Sequence, residues 1–190
     1  MPRSLLLATA IAALSLSLSA QNSVSQDKSL DVRSSVGDLH VGKDADAKSI
    51  GLPLYPGARL KIKDDNSDQA NLSLFTEGFG MKLLVANYES SDAPGKVIDF
   101  YRSKLKKYGK VLECHSQKHG GDVQVHDQKD KDANHKELKC DDNENDGPLT
   151  ELKVGTEDDQ HIVAVEPGDS SQGSKFAMVY LHTRGKRGEI

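Results

Sequence analysis

Between Met81 and Tyr88 the chain alternates: Met81, Leu83 and Val85 fall on one side and Leu84, Ala86 and Tyr88 on the other, the period of a strand within a sheet. Asn71 to Phe75 has the same period, and Gly78 and Gly80 lie between the two runs, so a hairpin is the simplest connection. The period then changes. Val97, Tyr101, Leu105 and Tyr108 recur at spacings of four, four and three, which places them on one helical face that Ile98 and Phe100 widen. Ser91 or Asp92 is positioned to cap this helix, Pro94 falls in its first turn, and Gly109 is positioned to close it in a left-handed conformation.

Upstream, the run LPLYPGARLKI holds Pro53, Pro56 and Gly57, which predicts a turn at Tyr55 to Ala58 feeding a strand at Arg59 to Lys63. Downstream, Lys110 to Ser116, Val123 to His126, Glu137 to Asp141, Leu149 to Val154, His161 to Val165 and Lys175 to Thr183 read as strands. The last two are joined by the turn-rich PGDSSQGS. One helix among many strands predicts an α+β fold, a twisted antiparallel sheet with one main helix at about 92 to 108 packed on one face through Tyr101 and Leu105.

The N-terminal pattern is of another kind. Arg3 precedes an apolar stretch from Leu5 to Leu18 and the small residues Ser19 and Ala20, the order of a secretory signal over residues 1–20. Fourteen residues of helix rise about 21 Å, short of a hydrocarbon core of about 30 Å, so cleavage rather than a membrane span is expected. Residues 21–50 are mostly Ser, Asp, Gln and Lys, with isolated Val36, Leu39 and Val41, and read as a flexible polar leader offering at most one short edge strand. Residues 51–185 are then a single domain and 186–190 a frayed tail. The expected location is periplasmic or secreted.

Loss of residues 1–20 moves the formal charge from −4 to −5, which argues against nucleic acid or an anionic membrane as the main partner. Cys114 and Cys140 are the only cysteines, and in an exported chain a lone pair predicts a disulfide. Closing a loop of roughly 27 residues disfavours the unfolded state by about 3.5 kcal/mol on a chain-entropy estimate.

His115, His119, His126 and His135 fall inside that loop and are the candidate metal ligands, for zinc or copper, although the disulfide would consume both sulfurs. Asp142, Asp146 and Gly147 fit positions one, five and six of a calcium loop, but Glu144 stands at position three and Lys153 at position twelve, so that motif fails. Asp169, Ser170 and Ser171 do not have the spacing of a hydrolase nucleophile, and no phosphate-cradling loop or paired-carboxylate motif is present. No catalytic residue and no cofactor is expected.

The segments GLPLYPGA at 51–58, LLVANYES at 83–90 and VIDFYRSKLKKYG at 97–109 together resemble a recurrent pattern in exported bacterial α+β domains of unassigned function. There a YPGA-type turn opens the domain and a VxxFYxxxLxxxG-type helix packs on an antiparallel sheet. The resemblance implies a fold and no chemistry. The expected function is a non-catalytic binding or interaction module of the cell envelope, with a protein or small ligand as partner. The alternatives are a metal-handling protein using segment 115–135 and, more weakly, an enzyme with a dispersed site.

Overall fold

The computed structural model describes residues 29–63, 66–117, 137–140, 147–169 and 173–185. The order of elements begins with strands β1 (Leu30–Ser34) and β2 (Gly37–Gly42) and a short helix α1 (Ala47–Ile50). Next come β3 (Arg59–Leu60), β4 (Ile62–Lys63), β5 (Asn66–Ser67), β6 (Gln69–Thr76) and β7 (Gly80–Ser90). The main helix α2 (Pro94–Leu105) runs into a 3-10 turn at Lys106–Tyr108, and β8 (Leu112–Ser116), β9 (Leu149–Thr156), β10 (Asp159–Pro167) and β11 (Ser174–Arg184) follow. The chain is thus mostly open antiparallel sheet with one main helix, in the order β1-β2-β6-β7-β11-β10-β9-β8, with β3 also paired to β7. The signal expected at 1–20, the strand expected at Val123 to His126 and the tail expected at 186–190 lie outside the described residues.

Alternation along the strands sorts side chains between the two faces. Leu84, Ala86 and Tyr88 of β7, Phe176 and Met178 of β11, Val163 and Val165 of β10, and Leu152 and Val154 of β9 share a buried cluster with Val97, Tyr101 and Leu105 of α2. Those three helical residues are the stripe read from the sequence, and each is fully buried. Tyr101 ties the layers together: its hydroxyl accepts from the Tyr55 N–H at 3.1 Å and donates to the Met178 sulfur at 3.4 Å. Burial pushes its phenol far above the ordinary tyrosine value, so it keeps the proton it donates. Tyr108 is 37% exposed and stands outside this cluster.

The helix ends differ from expectation. Ala93 is the N-cap and makes no side-chain capping bond, with Pro94 opening the helix. Asp92 instead accepts from the Tyr55 hydroxyl and from Lys96 Nζ, both at 2.8 Å, bonds that hold its carboxyl below the ordinary range. Gly109 has φ 144° and ψ −159°, so it closes the 3-10 turn without adopting the left-handed helical conformation.

The larger correction concerns the leader expected at 21–50. Residues 30–42 form a hairpin that pairs through β2 with β6. In α1, Asp46 and Ser49 exchange reciprocal capping bonds, and Gly51 closes the turn at φ 85°. Ala45, Ala47 and Ile50 lie in the main cluster, and the Ala47 N–H donates to the Tyr88 hydroxyl at 3.0 Å. Part of the core therefore lies upstream of Gly51.

The hairpins β6–β7 and β10–β11 form as predicted, and the Tyr55 to Ala58 turn closes on an Ala58 N–H to Tyr55 carbonyl bond with Gly57 at φ 78°. The strand expected at Arg59 to Lys63 is interrupted at Lys61. Asn87 explains the break: its backbone carbonyl accepts from Lys61 N–H at 2.8 Å and its N–H donates to the Asp68 carbonyl at 3.0 Å. One residue of β7 thus anchors both ends of the β4–β5 excursion.

Candidate ligand-binding face

The other face of the sheet follows from the same alternation. Ala70, Leu72 and Leu74 of β6 stand opposite Val85, Leu83 and Met81 of β7, and Val85, Asn87 and Leu83 stand opposite Val179, Ala177 and Leu181 of β11. Ile162 and Ala164 of β10 continue the row from Val179 and Ala177. No described helix lies on this side, since both α1 and α2 contribute to the cluster on the opposite face. Leu72, Leu74, Met81, Leu83, Val85 and Ile162 are only half-buried.

Where the side chains are small the face dips. Ala70, Ala164 and Ala177, with Val85 and Leu149, floor a hollow of about 360 Å³. Its rim is charged. Lys61 Nζ and the Asp68 carboxylate, 3.8 Å apart, stand at the neck of the β4–β5 excursion, and Asn87 Nδ2 donates to the Asp68 carbonyl at 3.2 Å. Glu166 and Lys175 line the other side, and Lys175 is bonded to Asp169, which draws the Asp169 carboxyl below its ordinary range. An apolar floor with charges of both signs around it suits a small amphipathic molecule, and the volume falls within the range of about 300–1,000 Å³ common to ligand sites. The geometry offers no nucleophile paired with a base among the residues lining it.

The residues singled out from sequence fare differently. Cys114 and Cys140 are joined, with Cα atoms 5.5 Å apart, so neither sulfur is a metal ligand. The bridge ties β8 to the stretch before β9, where Glu137 makes a single bridge to Thr156 in place of the expected strand. His115 is half-buried on β8, its Nδ1 3.3 Å from Thr150 Oγ1 and its Nε2 3.7 Å from Glu113. His119, His126 and His135 lie outside the described residues, as do Ser170, Ser171 and residues 142–146 of the failed calcium loop. Among the described residues no group of three or more His, Cys, Asp or Glu is arranged to hold a metal ion.

A histidine that the sequence reading passed over is more closely held. The His161 ring stacks on Tyr108 at 4.1 Å and lies 4.8 Å from the Tyr180 ring. Tyr108 in turn donates to the Gly51 carbonyl at 2.5 Å, and Lys107 Nζ donates to the same oxygen at 3.2 Å. This row joins the ends of both helices to β10. Burial pulls the His161 imidazole below its ordinary value, against the opposing effects of a bond to the Ile50 backbone and of Asp159. The folded state therefore prefers neutral His161, and its stabilisation is complete above the unfolded value of 6.5 and lost as pH falls below it. The thermal midpoint should fall between about pH 7.5 and about pH 5.5 more steeply in the wild type than in His161→Phe, which keeps the stack and carries no proton. His40 shifts the opposite way through its bond to Asp31, so the difference between the two curves, rather than either alone, reports His161.

No protein-family model, curated protein or solved structure matches this chain.

Proposed function

We propose that the chain is an exported, non-catalytic binding module that holds a small amphipathic ligand on the uncovered face of its sheet. The observation that carries this reading is the alanine-floored hollow with Lys61, Asp68, Glu166 and Lys175 around it. A sheet face with half-buried Leu, Met and Val side chains and no described layer above it is costly to leave in water, at about 25 cal/mol per Å² of apolar surface. Such a face is common where a partner completes the burial. The leader pattern at residues 1–20 and the Cys114–Cys140 bridge support export into an oxidising compartment. Among the described residues no helix is long and apolar enough to cross a membrane.

The anionic naphthalene dye ANS is a suitable probe, having an apolar ring system for the floor and a sulfonate for the lysines. The folded wild type should bind it with saturable fluorescence, and Ala177→Leu, which fills the floor with hydrocarbon, should weaken binding by roughly tenfold or more, as expected when about 1.4 kcal/mol of contact is lost. Equal binding by wild type and Ala177→Leu, at matched thermal stability, would remove the hollow as the site.

A further inference from the structure

Among the described residues strand β1 forms one edge of the sheet, and all five of its residues are exposed. Protein edges are commonly blunted by proline, lysine or a bulge, since unpaired backbone groups there template pairing with another chain. The sequence LDVRS contains neither proline nor lysine, and its register against β2 is continuous from Leu30 to Ser34.

The turn tells which groups are free. Ser35 and Val36 form a two-residue turn, and Ser34 faces Gly37 across it. Such a turn closes on a hydrogen-bonded pair, and bonded and non-bonded pairs then alternate along an antiparallel ladder. Ser34, Val32 and Leu30 therefore direct their N–H and C=O groups to β2, while those of Asp31 and Arg33 face outward from the sheet.

We propose that this edge pairs with the same edge of a second copy, antiparallel, about a two-fold axis at Val32. That register sets Asp31 against Arg33 of the second copy, and Arg33 against its Asp31, at the two positions whose backbone groups are free to bond. Moving either way along the ladder by the step that keeps those bonds aligned sets Asp31 against Asp31 or Arg33 against Arg33, so charge selects a single register. Among the described residues Arg33 makes no ion pair and Asp31 uses only Oδ1, on His40 Nδ1 at 2.8 Å, which leaves Oδ2 for a guanidinium. On the uncovered face Val32 meets Val32, next to Leu30 and Val41, which are 55%, 45% and 41% exposed for Leu30, Val32 and Val41 in turn. The contact is isologous and closes as a dimer, and it continues the apolar face from one copy to the next.

Sedimentation velocity on the mature chain over a range of concentrations tests the pairing. The wild type should dimerise. Arg33→Asp sets like charges across both contacts and should weaken the dimer by roughly tenfold or more, as should Asp31→Arg. Mixing these two variants restores opposite charges at every position, so the mixture should form a heterodimer that neither forms alone. Arg33→Pro removes an outward N–H while leaving the β1–β2 ladder intact, and it should abolish association with the circular dichroism of the fold unchanged. A wild type that stays monomeric at high micromolar concentration, a dimer indifferent to Arg33→Pro, or a mixture no more associated than its components would overturn the proposal. The hollow lies on β6, β7, β9, β10 and β11 and at the neck of the β4–β5 excursion, away from β1, so these variants leave dye binding untouched and the two readings stand or fall separately.

Discussion

Leu105→Asp should leave the chain without a stable fold. Leu105 is fully buried on α2 in the cluster that includes Leu152, Val154 and Val163. Truncating a buried leucine costs about 2–5 kcal/mol by itself, and an unpaired carboxylate in the space left behind adds several more unless it takes up a proton. A domain of this size has only about 5–15 kcal/mol in hand. Circular dichroism should show no cooperative melt for Leu105→Asp. Leu105→Met, which keeps the volume and adds no polar atom, should lower stability by less than about 1.5 kcal/mol and keep the melt cooperative. An aspartate variant melting at the wild-type midpoint would mean that α2 does not rest on the sheet through this stripe.

Legibility in the sequence followed the range over which each signal acts. The α2 stripe is local, so Val97, Tyr101 and Leu105 declared their face through spacing alone, and the β6–β7 and β10–β11 hairpins were visible because their partners are neighbours in the chain. The cysteine pair was legible by count. The region around β1, β2 and α1 was not, because an edge hairpin needs little apolar content: of β1 and β2, only Gly42 is buried. A cue was present in Asp46, Ser49 and Gly51, which satisfy a capping box and a left-handed stop within six residues. The hollow could not be seen at all. Ala70, Ala164 and Ala177 are unremarkable singly and meet only because β10 and β11 fold back beside β7, a strand order that alternation along a chain does not encode. Asn87 likewise looks like any polar residue in a strand until the excursion it anchors is known.

Removing the disulfide should produce the second large loss, for a reason that lies in the loop it shortens. β8 and β9 are antiparallel neighbours, with Ser116 paired to Leu149, yet a long connection separates them in sequence. Bringing its ends together costs chain entropy whenever the domain folds. The bridge joins Cys114 of β8 to Cys140 in that connection, a sequence separation of 26, and makes most of the closure permanent. Packing where the connection rejoins the sheet leaves little slack, since a Cβ on Gly147 would approach the Ser116 carbonyl oxygen to 1.9 Å. Replacing Cys114 and Cys140 together with alanine should therefore cost about 3.5 kcal/mol and lower the thermal midpoint by roughly 10 °C. Reduction of the wild type should reproduce the shift and leave the double variant unaffected. The same measurement bears on export: a chain made without residues 1–20 and kept in a reducing cytoplasm should melt like the double variant, and should recover the higher midpoint on oxidation. Equal midpoints for the oxidised, reduced and alanine forms would show that the β8–β9 connection is held by its packing and that the bridge adds nothing to stability.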